Sequence, residues 1–114
     1  MRQRLLVMNG YRLIQSERAG RWEVDKVEKA GALKPGIYNL YLAGPADKTK
    51  VHDGIVLHAD RNFVYQQVGK TFVGHDCASF QVLPALGTHC KIRYENGDAV
   101  VTTSPAKRRR ALSG

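Results

Sequence analysis

At 114 residues the chain has room for one hydrophobic core and a short extension, which excludes two independent domains. Hydrophobic residues at 43% and charged residues at 25% match a globular composition rather than a disordered one, and no apolar run nears the roughly eighteen residues of a membrane helix. The net charge is +8, half of it from Lys107, Arg108, Arg109 and Arg110, so the densest charge sits on a terminal arm.

In chain order, the opening Met1 to Met8 lacks a signal-peptide core and cleavage site, and a cytoplasmic protein is expected. Leu5 to Met8 and Tyr11 to Ile14 flank Asn9-Gly10, a pair suited to the positive φ angles of a type I′ turn, and predict a hairpin. After a second turn at Ala19-Gly20, strict alternation from Trp22 to Val27 predicts a half-buried strand with Trp22 and Val24 on its apolar face. Glu28 to Leu33 has room for one helical turn before Lys34-Pro35-Gly36 stops it. Ile37 to Ala43, with its aliphatics and two tyrosines, reads as a central strand, and Gly44 to Lys50 as an exposed polar loop. Short strands follow at Gly54 to Ala59, Asn62 to Val68 and Thr71 to Val73, then a helical turn from Cys77 to Val82. A last hairpin pairs Lys91 to Glu95 with Asp98 to Thr102 around Asn96-Gly97.

Strands at about ten-residue intervals predict a mainly β fold, a small and partly open β-barrel or sandwich of about six to eight short strands with one or two helical turns. The folded unit is expected over residues 1–104. Residues 105–114 begin at Pro105, have no apolar periodicity and read as a flexible basic tail.

Little points to catalysis. His75-Asp76 is a tempting pair, yet neighbouring side chains diverge in an extended chain. The expected arrangement has Asp76 opening a turn and His75 bonded to a backbone carbonyl. Gly69-Lys70-Thr71 lacks the upstream glycine of a phosphate loop. Cys77 and Cys90, with His75 and His89, show no paired metal-ligand spacing, so free buried thiols are expected. We therefore expect no enzyme, no cofactor and no metal. Four runs, Tyr11-Arg12, Arg21-Trp22, Arg61-Asn62-Phe63 and Arg93-Tyr94, put cations beside rings, the combination small β-barrels use against nucleic acid.

A family pattern lies across Lys26 to Val101. It comprises Pro35-Gly36-Ile37-Tyr38-Asn39-Leu40-Tyr41, Gly54-Ile55 with His58, Val64-Tyr65-Gln66-Gln67, Gly69, His75-Asp76, Gly87, Ile92 with Tyr94, and Gly97. In these features the chain resembles the KfrB-type domain of bacterial plasmid transfer and maintenance proteins. It departs from the pattern at Ala85-Leu86, where that family more often carries an acidic residue before the glycine. The resemblance implies a cytoplasmic accessory protein of conjugative transfer or stable plasmid maintenance, and it brings no catalytic residues with it.

Two functions are expected from these readings. In the first, the module binds nucleic acid, mostly DNA through phosphates, by way of Lys107, Arg108, Arg109, Arg110, Arg61 and Arg93. In the alternative it docks on a relaxosome, partition or coiled-coil partner, through an exposed edge such as Tyr38 to Ala43 or a recognition surface at Tyr65, Gln67 and His75.

Overall fold

A computed structural model describes residues 2–31 and 33–103; the basic tail of Lys107, Arg108, Arg109 and Arg110 lies outside the described residues. Among the described residues ten strands form two sheets: β1 (Gln3–Met8), β2 (Tyr11–Arg18), β3 (Arg21–Lys29), β4 (Gly36–Tyr38), β5 (Gly44–Pro45), β6 (His52–Ala59), β7 (Phe63–Val68), β8 (Thr71–Asp76), β9 (His89–Glu95) and β10 (Asp98–Thr103). The first sheet has four strands in the order β3-β2-β1-β4, and the second has six in the order β10-β9-β6-β7-β8-β5. The arrangement is a pair of sheets and not a closed barrel. The two very short strands β4 and β5 raise the number above the expected six to eight.

Local turn chemistry forms the hairpins. Asn9-Gly10 (φ 53° and 79°), Ala19-Gly20 (52° and 78°) and Asn96-Gly97 (52° and 87°) all take the paired positive φ that matches the twist of the strands they join. β1 and β2 pair in simple register from Gln3 opposite Ser16 to Met8 opposite Tyr11. On the facing side of the first sheet Leu5, Val7 and Ile14 are buried and pack with Leu33, Leu40 and with Leu57 of β6, which joins the sheets through one core. The second sheet carries another core on its opposite face, built from Val56, Val64, Cys90 and Ile92 and covered in part by Phe80, Tyr94 and Val101. Gly54 lies tight against the neighbouring strand. A Cβ there would stand 1.8 Å from the Gln67 carbonyl oxygen, so only glycine fits.

Five expectations change. Ile37 to Ala43 is not a central strand: β4 ends at Tyr38 as an edge strand on β1, and Leu40–Leu42 forms a 3-10 turn. That turn sends Leu40 into the shared core and leaves Tyr41 and Leu42 exposed, an arrangement a straight strand could not give. Gly44–Pro45, read as loop, pairs in parallel with β8 as a terminal edge strand, where a proline has no ladder bond to lose. In β3 a bulge sets Val24 and Lys26 opposite the consecutive residues Gln15 and Ile14, so the alternation breaks at Asp25. Trp22 and Val24 consequently lie on the outer face, with Val24 48% exposed, and not on a buried one. The helical turn expected over Cys77 to Val82 shortens to a 3-10 turn at Cys77–Ser79, and Glu28 to Leu33 begins as strand.

Candidate nucleic-acid interface

Tyr65, Gln67 and His75 do not share a surface. Tyr65 and Gln67 sit two apart on β7 and face the same way, while His75 stands opposite Val64 and faces the other way, fully buried. His75 bonds side chains and not the expected backbone carbonyl: Nε2 is 2.8 Å from Gln66 Oε1, and Nδ1 is 2.6 Å from the Tyr94 hydroxyl. The Gln66 amide nitrogen faces the carbonyls of His52, Gly54 and Cys90, so it donates and its oxygen accepts. That fixes the histidine tautomer. Nε2–H donates to Gln66, and Nδ1 accepts a hydrogen bond from the Tyr94 hydroxyl. Burial, and secondarily His52, pushes the His75 pKa down to about 4, which keeps the ring neutral. Asp76 precedes the 3-10 turn without a side-chain capping bond, and no His75-Asp76 dyad forms. Sequence reasoning missed Gln66, the centre of this network, because its partners come from β6, β8 and β9.

Arg61 lies in the turn between β6 and β7, exposed, and Arg93 on β9 is ion-paired with Glu95. The register sets His52 opposite Ile92, at the far end of β6 from that turn. At a rise of about 3.3 Å per residue the two arginines are separated by roughly 25 Å along the strand and form no common patch.

Cations do meet rings, through space and not along the chain. The Arg4 guanidinium lies 4.1 Å from the centre of the Trp22 ring and donates from Nε to Gln15 Oε1 at 2.7 Å. Arg2 stands 5.4 Å from the Tyr41 ring and is ion-paired to Glu17 at 2.7 Å. Trp22 and Tyr41 are themselves 6.2 Å apart, so Arg4, Trp22, Tyr41 and Arg2 make a continuous cation–aromatic row on the outer side of the first sheet. Neighbours in sequence point to opposite faces of a strand, which is why runs such as Arg21-Trp22 do not carry the contact.

Tyr41 continues this row into a cleft of about 530 Å³ at the β5–β8 edge of the second sheet, where Phe63, Tyr65 and Tyr94 add three more rings and Lys48 and Asp76 add charge. The Lys48 ammonium is 5.7 Å from the Tyr94 ring. Tyr65 stacks on His58 at 6.1 Å, and Arg12, only 4% exposed, donates to His58 Nδ1 at 3.0 Å. A residue on the first sheet thus steadies a wall of a cleft on the second. Burial first, then the Arg12 charge, pushes the His58 pKa down, consistent with a neutral ring that accepts at Nδ1.

Cys77 and Cys90 are free thiols, raised in pKa chiefly by burial. No helix among the described residues is long and apolar enough to cross a membrane.

Residues 51–103, which comprise β6 to β10, match the KfrB domain family. The chain is also similar to Protein TraB of Escherichia coli, 34% identical over 101 residues that make up 86% of this chain and 69% of that protein. The family match begins at Val51 and not at the expected Lys26, so the first sheet lies outside the matched domain.

Proposed function

Because the chain belongs to the KfrB-domain family and is a plasmid transfer- or maintenance-related protein, we propose that it is a non-catalytic accessory module that binds single-stranded nucleic acid. The observation that carries this reading is the cation–aromatic row Arg4, Trp22, Tyr41 and Arg2. Rings and guanidinium planes give unpaired bases sequence-tolerant stacking faces, and the same cations face phosphates. The net charge of +8 favours encounter with a polyanion, and Lys107, Arg108, Arg109 and Arg110 would add salt-sensitive phosphate contacts without reading sequence. The module acts in the cytoplasm, where plasmid DNA is handled.

Binding of a labelled single strand to the full chain, followed by fluorescence anisotropy across a salt series, tests this. Trp22→Ala should weaken binding on the order of ten-fold, as expected for loss of one stacking face. Replacing the four tail cations with alanine should flatten the salt dependence. No binding at low salt would refute the proposal.

A second reading, docking on a transfer or maintenance protein, is favoured by one feature. Ile37, Leu6, Leu13 and Val27 stand directly opposite one another across all four strands of the first sheet, on its outer face, with Ile37 58% and Val27 56% exposed. An apolar row of this kind on a sheet face suits a protein partner. Capture of such a partner that survives nuclease and high salt, and is lost in Val27→Lys, supports this reading over the first.

A further inference from the structure

The cleft at the β5–β8 edge has a composition that the row leading into it does not explain. It combines four rings, Tyr41, Phe63, Tyr65 and Tyr94, with one cation and one carboxylate, Lys48 and Asp76, in about 530 Å³, within the size range of ligand-binding clefts. Resting on the nucleic-acid reading above, we infer that this cleft is a pocket for one unpaired base of the bound strand.

Three observations favour a planar ring over an extended peptide. The β8 edge that a peptide would need is already taken: β5 pairs with Val73 and Gly74, and the Ala46 amide donates to the Gly74 carbonyl at 3.2 Å. What the cleft offers is therefore ring faces, not an open ladder. Gly74 leaves the space between the walls free. A Cβ there would lie 3.9 Å from each of Phe63 Cδ1, Tyr65 Cε1 and the Gly44 carbonyl oxygen, so any longer side chain would occupy the cleft. Finally, the Tyr94 hydroxyl donates its O–H to His75 Nδ1, so any further hydrogen bond its oxygen makes is as an acceptor. Every nucleobase carries an N–H donor on its pairing edge, and that edge is free only when the base is unpaired. Lys48, beside the Tyr94 ring, is placed to hold a neighbouring phosphate.

The test compares the full chain with Phe63→Ala and Gly74→Val, using a single-stranded oligodeoxycytidine and a duplex of equal length. Phe63 is 39% exposed, so its removal leaves the fold intact even if the valine at 74 does not. Loss of single-strand affinity by about ten-fold in Phe63→Ala, with duplex affinity unchanged, supports the pocket. Unchanged single-strand affinity in both variants overturns the pocket and leaves the nucleic-acid reading standing. Failure of the unmodified chain to bind either probe overturns that reading and the pocket with it.

Discussion

Gly54 and His75 set the tolerances of the second sheet one residue at a time. A methyl group at 54 would collide with the Gln67 carbonyl at 1.8 Å, and that atom is backbone and cannot swing aside. We predict that Gly54→Ala lowers stability by on the order of 3 kcal/mol, at the upper end for overpacking, read as a fall in the thermal midpoint of well over 5 °C. His75 makes a pH prediction. Its folded pKa of about 4 lies below the ordinary 6.5, so the unfolded chain takes up the proton first as pH falls. The stability of the neutral ring is complete above about pH 6.5 and is lost as pH drops from there toward 4, on the order of 3 kcal/mol in total. Urea midpoints measured across that window should fall, and His75→Asn, although less stable at neutral pH, should show a shallower fall. The sequence made Gly54 and His75 visible as features. Their reasons lay in β7 and β9, too far along the chain for spacing to reveal.

At the scale of elements, hairpins were legible and crossings were not. Asn9-Gly10, Ala19-Gly20 and Asn96-Gly97 declare their turns through backbone preferences of two residues, and all three turn as read. Ile37 to Ala43 misled because it has strand composition while its task is to pass from one sheet to the other and seat Leu40 in the core between them. The cation–ring contacts were hidden for a related reason: Arg4 and Trp22 lie on β1 and β3, two strands that are not adjacent in the sheet order. The outer row of Ile37, Leu6, Leu13 and Val27 became apparent only once the register was known. Because Val27 and Ile37 are largely exposed, Val27→Lys and Ile37→Lys should each change stability by no more than about 0.5 kcal/mol in thermal unfolding. A loss of several kcal/mol would mean that this face is packed rather than free.

The whole molecule is two sheets joined by Leu57 in the shared core and by the Arg12–His58 bond. The matched KfrB domain supplies Phe63, Tyr65 and Tyr94 of the cleft, and the chain before it supplies Tyr41 and Lys48 there together with Trp22, Arg2 and Arg4 of the row. Replacing Arg12 with methionine keeps much of its volume but removes the link to His58, and should loosen Tyr65 and weaken single-strand binding severalfold; anisotropy alongside circular dichroism separates that from unfolding. The central claim is that rings and cations from both sheets grip a single strand. Its most direct test is anisotropy with single-stranded and duplex DNA of equal length at several salt concentrations, using the full chain and a Trp22→Ala, Tyr41→Ala double variant. Such a grip predicts preference for the single strand, affinity that falls steeply with salt, and a loss of ten-fold or more in the variant that is confined to the single strand. Equal affinity for both forms, untouched by the double substitution, would contradict it.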